Sequence, residues 1–299
     1  MTNLNYLNEE DSILIKKAYD LTSQNVSKSN NAKYINEIVK ILTEFKADTN
    51  TLVSCILLGL INNETYNEEI RKEFGDEVYN ICLGAYNLLQ FKNIKEHINS
   101  LNKGSEEDVR ILFIMLADRI NTLRTEKKAN KNIAKEALEI LVPKAQEFKL
   151  NFIKSKLEDL CLYHLNPDIY NNILNNLGTS LENLSIFLNN QKEYISKLLK
   201  DNNINFIIKG RVKNIYSIYT KLESGKTWED IYDILALRII VEEESDCMKA
   251  IELIHSNYIY LIERFKDYIT NPKENMYQSL HTTIIGENNR FYEIQIRTN

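Results

Sequence analysis

The chain contains few residues that interrupt regular structure. Its 299 residues include only 8 glycines and 3 prolines. Because these two residues mark turns and end helices, their scarcity favours long helices over a sandwich of many short strands. Hydrophobic residues make up 43% and charged residues 26% of the chain. These fractions are typical of globular proteins and argue against extended disorder, and the length predicts about two domains.

Targeting and membrane signals are also lacking. No run of about 18 uncharged apolar residues occurs, and the chain start, MTNLNYLNEEDS, is acidic where a secretory or transit peptide would be basic. We therefore expect a cytoplasmic protein that does not contact the membrane. A net charge of -5 argues against a general nucleic-acid coat, so any anionic ligand requires a local basic site.

Cysteine is scarce as well. The four cysteines lie far apart in the chain, at Cys55, Cys82, Cys161 and Cys247. Since none of them forms a CxxC pair, the sequence predicts neither a disulfide framework nor a zinc ribbon. We expect all four to be buried thiols.

The first two thirds of the chain have a helical pattern. Apolar residues recur there at spacings of three and four, as on the buried face of a helix. The predicted helices are 10–22, 32–45, 51–61, 77–89, 108–123, 133–148, 152–164, 169–177 and 181–199. We expect a helical domain over residues 1–180, followed by a connecting helix over 181–203.

The pattern changes after about residue 203 to short runs rich in β-branched and aromatic residues. The predicted strands are 204–210, 235–242, 277–286 and 290–298, and helices are predicted over 214–224 and 245–258. The segment 287–289 is a plausible hairpin turn, which predicts that the last two strands pair antiparallel. Residues 204–299 are therefore expected to form an α+β domain, with a mixed sheet flanked by helices.

The densest basic segment is KGRVKNIYSIYTKLESGK, residues 209–226, whose five cations face a single acid, Glu223. Gly210 is expected to let the backbone approach a ligand. Arg211 and Lys213 lie at the end of the predicted strand, and Ser217 and Lys221 follow Lys213 at helical spacing. We therefore expect the donors of these four residues to converge on one anionic group. A polyphosphate would fit there. The alternative is an ordinary solvated basic face.

Charged residues also occur inside two predicted strands, where apolar strands rarely tolerate them. Arg238 lies within the strand 235–242 and is expected to line a cleft or pair with a carboxylate. The last strand alternates polar and apolar residues, with Glu293, Gln295 and Arg297 on one face. Asp233 and Glu293, on neighbouring strands, would suit Mg²⁺ as oxygen ligands. The alternative is a surface network of salt bridges.

Four ordered blocks give the second region a specific resemblance. They are GRVKNIYSIYTKL, DIYDILALRIIV, RFKDYITNPKENMYQSLHTT and EIQIRT. With these blocks, residues 204–298 resemble the synthetase domain of the RelA/SpoT family of guanosine tetra- and pentaphosphate synthetase-hydrolases. The resemblance implies a nucleotidyltransferase-like fold and a GTP pyrophosphokinase of the stringent response. Such an enzyme transfers the β,γ-pyrophosphate of ATP to the 3′-hydroxyl of GDP or GTP with Mg²⁺.

The resemblance also implies roles for individual residues. Asp233 matches the magnesium-binding aspartate, and Glu293 matches the glutamate that shares the metal and activates the 3′-hydroxyl. The residues that match ATP contacts are Arg211, Lys213, Ser217, Lys221 and Arg238. Those that match the guanosine-nucleotide pocket are Lys266, Lys273, Asn275, Tyr277, Gln278 and His281. Among them, Tyr277 is expected to stack on guanine, whereas His281 taken alone would be a structural histidine.

The helical region resembles the family's HD-type hydrolase domain, with departures at the metal site. Gly59 and Leu60 stand where the family has its His-Asp pair, and Tyr34 aligns near the first histidine. Asn63 and Glu64 replace the Glu-Asp pair that follows in the family, so only Asp118 of the metal set remains. One carboxylate cannot hold Mn²⁺ against its hydration shell. We therefore expect that hydrolase activity is lost and that Asp118 is a helix-surface or ion-pairing residue.

Relatives continue beyond EIQIRT with a helical segment and regulatory domains, whereas this chain stops at Asn299. Ribosome or tRNA sensing through those domains is therefore not expected. Two alternatives to the synthetase remain open. One is a non-catalytic protein that binds guanine nucleotides or alarmones, and the other is a toxin-like enzyme that modifies another 3′-hydroxyl, such as that of tRNA. The joint presence of Asp233, Glu293, Arg211 and Tyr277 favours the enzyme with a guanosine acceptor.

Overall fold

The computed structural model describes residues 5–25, 30–61, 63–90, 94–102, 104–125, 130–271 and 278–298. It divides into two compact units, Met1–Pro167 and Asp168–Asn299. The first unit is helical, and the second combines helices with one mixed sheet. Across the described parts of both units, none of the helices combines the length and apolar character needed to span a bilayer.

The first unit consists of helices packed around one core. They are α1 Glu9–Asn25, α2 Asn30–Glu44, α3 Thr49–Leu57, α4 Glu64–Gln90, α5 Ile94–Ser100, α6 Glu106–Thr125, α7 Lys131–Glu136, α8 Val142–Glu147 and α9 Asn151–Leu165, with a π-helical turn at Ala137–Leu141. The sequence pattern missed α5 and the first part of α4. Both segments have few buried apolar residues: Ile70 in the first part of α4, and Ile94 and Ile98 among the described side chains of α5. So few positions give only a weak periodic signal.

Helix α6 occupies the centre of the first unit, in contact with α2, α4 and α9. Its residues Leu112 and Leu116 lie on one side of the helix and Ile114 on the other, and all three are fully buried. The middle of α6 is therefore surrounded by other parts of the unit. Its start is well defined, because Ser105 Oγ accepts a hydrogen bond from the Asp108 amide at 3.1 Å. The unit's three cysteines, like Cys247 in the second unit, are buried free thiols, as predicted.

The second unit contains α10 Pro167–Leu177, α11 Leu181–Asp201, α12 Ile215–Glu223 and α13 Glu244–Asn257. Its strands are β1 Phe206–Val212, β2 Leu235–Val241, β3 Ile259–Tyr260, β4 Lys266–Asp267, β5 Leu280–Ile285 and β6 Phe291–Thr298. The sheet order is β1-β2-β6-β5-β3, with β4 also paired to β5. Strands β2 and β6 are parallel, and the other pairs are antiparallel. The predicted α+β sheet and the antiparallel final hairpin are confirmed.

The two faces of the sheet differ in polarity. One face is apolar and buried, with side chains from the central strands: Leu235, Leu237, Ile239, Tyr292, Ile294 and Ile296. Helices α11 and α13 pack against these strands. The opposite face, which we call the polar sheet face, has residues from β1, β2, β5 and β6 in register: Lys209, Arg211, Arg238, His281, Glu293 and Gln295. Because side chains alternate along a strand, the predicted polar alternation places these groups together.

Two expectations need correction here. Residues 181–203 were expected to form a connecting helix, but α11 packs on β1 and β2 with Leu184, Leu188 and Ile195 buried, so it belongs to the second unit. Gly210 was expected to allow a ligand to approach. A Cβ at Gly210 would instead lie 3.1 Å from Leu188 Cδ2, so the close packing of α11 explains this glycine.

Candidate active site

The centre of the site is Asp233, which lies just before β2. Its Oδ2 atom accepts hydrogen bonds from Lys213 Nζ and Lys221 Nζ, both at 2.8 Å. Lys213 follows β1, and its backbone amide bonds to the Ile234 carbonyl at 2.8 Å, which brings the end of β1 beside the start of β2. Lys221 reaches the same oxygen from α12. The two lysines therefore meet on one anionic oxygen, which belongs to Asp233, and the predicted convergence of this segment's donors on a bound polyphosphate stays a prediction.

In this cluster, burial and the neighbouring opposite charges shift the pKa values of the ionisable groups in opposite directions. Burial alone would raise the pKa of Asp233, but the hydrogen bonds and charges of the two lysines outweigh it and hold the pKa below its ordinary value. The pKa of Lys213 is lowered, first by burial and also by the nearby cations, although its bond to Asp233 opposes this. The cluster therefore keeps a charged carboxylate and two cationic donors in a partly desolvated place.

Glu293 lies on β6 within the electrostatic range of Asp233. Its Oε1 atom is 3.6 Å from His281 Nδ1, and this interaction is the main reason why the pKa of Glu293 is lowered. Burial and the negative charge of Asp233 act in the opposite direction, and the Gln295 side chain contributes a further stabilising hydrogen bond. Glu293 is thus held as a carboxylate, in the form that accepts a proton or a cation.

The two carboxylates differ in how their oxygens are satisfied. Asp233 Oδ1 is buried and has no hydrogen-bond partner among the residues that the structure describes. An orphaned carboxylate oxygen close to a second carboxylate fits a hard cation that prefers oxygen ligands, such as Mg²⁺. Within the described ranges no group of three or more His, Cys, Asp or Glu residues has metal-binding geometry. Mg²⁺ commonly uses only one or two carboxylates and completes its shell with water and phosphate oxygens, so this pair is sufficient.

The other predicted ATP contacts surround this centre. Arg211 is exposed on the polar sheet face, next to Ala236 in register. Ser217 lies on α12, one helical turn before Lys221. Arg238 is exposed and donates to Gln295 Oε1 from Nε at 3.3 Å and from Nη2 at 3.1 Å. Arg238 was expected to line a cleft or to pair with a carboxylate, and the partner that the structure gives it is an amide oxygen.

The predicted guanosine-side residues fall into two groups. Lys266 on β4 is exposed and lies opposite His281 in register, and Gln278 is exposed just before β5. Three of them, Lys273, Asn275 and Tyr277, lie outside the described residues. The predicted stacking of Tyr277 on guanine therefore stays a prediction. The structure therefore brings Lys266 and His281 to the side of the sheet next to Glu293.

Sequence analysis missed Tyr268 and overlooked what Gln295 does. The Tyr268 ring lies edge-on to His281, with centroids 5.5 Å apart. Asp267 fixes the turn next to it by accepting from the Ile269 and Thr270 amides, both at 2.9 Å. The alternation of β6 singled out Gln295 as polar, but its partners depend on pairing with β2 and β5, which the chain pattern does not specify.

A second pocket lies in the first unit, where the metal site of a hydrolase was considered. This cavity of about 530 Å³ is lined in part by Tyr34, Gly59, Tyr86, Asp118 and Arg119. Tyr34 Oη donates to Asp118 Oδ1 at 2.5 Å and lies 3.1 Å from Thr122 Oγ1. Asn63 and Glu64 are exposed, and Leu60 is buried. Asp118 is the residue of the family's metal-binding set that remains in this chain, and in this cavity it is hydrogen-bonded to Tyr34.

The expectation for Asp118 was wrong. It was predicted to be a helix-surface or ion-pairing residue, but its relative exposure is only 8% and its partner is a phenol. Burial raises the pKa of this carboxyl, and the hydrogen bond from Tyr34 offsets the increase only in part. Burial likewise raises the pKa of Tyr34. Both groups therefore ionise less readily than they would in water, because burial disfavours their charged forms.

Comparisons with known protein families give a match for each of the two units. A family model described as the region found in RelA/SpoT proteins matches residues 210–299. A second model, for the HD domain, matches residues 12–147. The chain belongs to the RelA/SpoT family. It joins an HD-type helical unit to a RelA/SpoT unit that contains Asp233, Glu293 and the surrounding cations.

Relatives of this RelA/SpoT chain bear the names of two opposite activities. A guanosine-3′,5′-bis(diphosphate) 3′-pyrophosphohydrolase of Spiroplasma citri is 32% identical over 98% of this chain and 42% of its own length. A probable GTP pyrophosphokinase of Mycobacterium leprae is 34% identical over 87% of this chain and 34% of its own length. The chain thus spans about two fifths or less of these relatives. The small alarmone synthetase 2 of Bacillus subtilis matches 39% of this chain and 71% of its own at 32% identity, with a TM-score of 0.34.

Proposed function

We propose that the second unit transfers the β,γ-pyrophosphoryl group of ATP to the ribose 3′-hydroxyl of GDP or GTP. The unit would then be a GTP pyrophosphokinase that makes guanosine tetra- or pentaphosphate. The observation that supports this most is the meeting of Lys213 and Lys221 on Asp233, in electrostatic range of Glu293 on the polar sheet face. The names of the relatives, among them a probable GTP pyrophosphokinase, point in the same direction.

The cations are suited to ATP phosphates. Lys213 and Lys221 already direct their ammonium groups at one anionic oxygen, and Arg211 and Arg238 are exposed on the same face. Ser217 adds a hydroxyl one helical turn before Lys221. Phosphoryl transfer depends on positioning and on neutralising charge that spreads over phosphate oxygens, and this cluster provides both.

Glu293 is suited to accept the proton of the attacking hydroxyl. In the transfer, the 3′-oxygen forms a bond to the β-phosphorus of ATP, the bond from that phosphorus to the bridging α,β-oxygen breaks, and AMP leaves. The hydroxyl proton goes to the Glu293 carboxylate. The pKa of Glu293 is lowered, so the group is a carboxylate at neutral pH, the form that a proton acceptor requires.

Asp233 Oδ1 and the Glu293 carboxylate are the groups that would hold Mg²⁺. Their fit rests on the buried and unpaired state of Oδ1 among the described residues and on the electrostatic proximity of the two carboxylates. When bound, the ion would neutralise charge on the phosphate oxygens. Asp233 also fixes Lys213 and Lys221, so one residue organises both kinds of positive charge.

The acceptor nucleotide would lie on the β4–β5 side of Glu293. Lys266 and His281 are paired in register there. The resemblance adds Lys273, Asn275, Tyr277 and Gln278 to this pocket, with Tyr277 stacking on guanine. That part of the proposal rests on the sequence alone.

A transfer assay tests the proposal. The full chain is incubated with ATP labelled at the γ-phosphate, Mg²⁺, and either GDP, GTP or tRNA as acceptor. We expect label in the guanosine nucleotide and an equal amount of AMP. Label in tRNA would show that the acceptor is tRNA and not a guanosine nucleotide. Binding of the nucleotides without any transfer would favour a non-catalytic binding protein.

We also propose that the first unit has lost 3′-pyrophosphate hydrolysis. Metal-assisted hydrolysis needs several protein ligands around an open coordination position. Tyr34 donates to Asp118 where a ligand would be needed, and Gly59 offers no side-chain donor. Release of pyrophosphate from guanosine tetraphosphate with Mn²⁺ is the assay. Hydrolysis that Asp118→Ala abolishes would contradict the proposal.

A further inference from the structure

Tyr232 is the residue directly before Asp233, in a segment outside the strand ladder. The pairing of β2 with its neighbouring strands begins at Leu235, two residues after Asp233. On the other side of Tyr232, a short helical turn ends at Asp230. The carboxylate that gathers the two lysines is thus borne by a stretch between two regular elements, where side-chain contacts have a large part in fixing the backbone.

The ring of Tyr232 contacts two other elements of the second unit. Arg264, in the short helical turn Ile262–Arg264, lies over the ring with its Cζ atom 4.4 Å from the centroid, which is a cation–π distance. Phe291, the first residue of β6, meets the same ring edge-on, with centroids 5.2 Å apart and ring planes at 62°. The ring thus joins the segment before β2 to β6 and to the turn before β4.

A cavity lies beside this ring pair. Its volume is about 370 Å³, and it separates the residues before β2 from those before β6, with Tyr232, Ile234 and Phe291 in its lining. Because the two segments do not pack solidly against each other at this end of the strands, the contact between the rings bridges them. Phe291 precedes Glu293 by two residues on the same face of β6, so the bridge joins the backbones that carry Asp233 and Glu293.

We propose that Tyr232 is a positioning residue for Asp233. Its ring, held by Arg264 and Phe291, fixes the backbone from which the carboxylate gathers the two lysines. This inference rests on the proposed pyrophosphate transfer. The lysines follow the carboxylate if it moves, and a misplacement of about 1 Å can slow a reaction about 10²-fold.

Substitutions at Tyr232 separate the ring from its hydroxyl. Tyr232→Leu removes the ring contacts, and we expect kcat to fall about 10- to 100-fold while KM for ATP rises at most about threefold. Tyr232→Phe keeps the ring and should have nearly the wild-type kcat. Tyr194→Leu, at an exposed position of α11, is the matched control. A raised KM at wild-type kcat in Tyr232→Leu would mean that the ring binds nucleotide directly, which would overturn the inference.

A double-variant cycle tests whether Arg264 acts through the ring. Arg264→Met alone should lower kcat about two- to fivefold, which corresponds to an exposed cation–π contact. Added to Tyr232→Leu, it should cause no further loss, because the ring that it contacts is already absent. A further loss of the same size in the double variant would show that Arg264 acts independently of Tyr232 and would contradict the proposed role.

A second readout does not depend on activity. Trp228, the single tryptophan, is half-buried in the helical turn that precedes Tyr232. With helical circular dichroism unchanged, quenching of its fluorescence by acrylamide should increase in Tyr232→Leu and Arg264→Met and stay at the wild-type value in Tyr232→Phe and Tyr194→Leu. Unchanged quenching or wild-type kcat in Tyr232→Leu would overturn the inference. A wild-type protein that transfers no pyrophosphate would refute the proposed function, and the quenching would still decide whether Tyr232 holds this segment.

Discussion

At the scale of single residues, the two carboxylate oxygens of Asp233 have different surroundings. The residue neutralises Lys213 and Lys221 through Oδ2, while Oδ1 stays buried without a partner among the described side chains. A buried unpaired oxygen is unfavourable by about 1–3 kcal/mol. Such a cost is typical of a binding site whose ligand supplies the missing interaction.

Asp118 in the first unit gives a prediction for pH. Its pKa in the folded protein lies above the ordinary value of 3.8, mainly because of burial. Below about pH 4 the group is protonated whether or not the chain is folded. As pH rises above that value, the unfolded chain releases the proton more readily, so wild-type stability declines.

Asp118→Asn removes this decline while keeping an oxygen for Tyr34 Oη. The free energy of unfolding of the variant, relative to wild type, should therefore increase between pH 4 and pH 7. Urea titrations followed by helical circular dichroism at several pH values measure it. A difference that does not change with pH would show that Asp118 ionises normally.

Residue spacing predicted some of these contacts and not others. Lys213, Ser217 and Lys221 are close in the chain, and helical periodicity places them together. The Tyr34–Asp118 bond joins residues separated by 84 positions, and Gln295 meets Arg238 across 57. Such pairs depend on how helices cross and on strand register, which the local pattern does not contain.

At the scale of elements, α11 holds the final hairpin in place. Gln191 on α11 is buried and accepts a hydrogen bond from the Glu287 amide at 3.0 Å. Asn190, next to it, donates to Glu287 Oε1 at 3.0 Å. This attachment fixes the start of β6, the strand that carries Glu293.

Gly286→Ala should weaken this attachment. A Cβ there would lie 2.4 Å from Gln191 Oε1 and 2.9 Å from Tyr292, both buried, so neighbouring atoms must shift. We expect a loss of about 1–3 kcal/mol in the free energy of unfolding of the second unit. The single tryptophan, Trp228, lies in that unit and reports its unfolding by fluorescence. Gly104→Ala, whose Cβ would have room, is the control, and equal stability of both variants would contradict this packing.

The packing of α11 also predicts where the second unit can be separated. A fragment of residues 168–299 keeps α10 and α11 and should unfold cooperatively. A fragment of 204–299, which matches the sequence-based boundary, exposes the apolar sheet face that α11 covers and should not fold. Denaturant titration of both fragments tests this. Cooperative unfolding of 204–299 would mean that α11 is dispensable.

Most helices and strands followed from the sequence, but the role of α11 did not. Its amphipathic pattern predicted a helix with one buried face and gave no information on what buries that face. All six strands form one sheet. The pairs β1–β2, β4–β5 and β5–β6 join consecutive strands, but β3 pairs with β5, and the parallel β2–β6 pair joins segments more than 50 residues apart. Topology of this kind comes from the tertiary fit of the strands.

At the scale of the whole molecule, the chain has two sites with different chemistry. In the first unit a phenol bonds to the remaining carboxylate, and in the second a carboxylate pair lies among cations. We infer that synthesis is retained and hydrolysis is lost. In that case the two units of this chain differ in activity, with transfer proposed for the second unit and no hydrolysis proposed for the first.

The most direct test of this account is the transfer rate of Glu293→Gln and Asp233→Asn with ATP, Mg²⁺ and GDP. Glu293→Gln loses the proton acceptor, and Asp233→Asn loses the charge that fixes two lysines, so we expect kcat to fall roughly 10²- to 10⁴-fold in each. Glu229→Gln, an exposed acid in the same unit, should keep the wild-type rate. Transfer at the wild-type rate in either Glu293→Gln or Asp233→Asn would contradict the account.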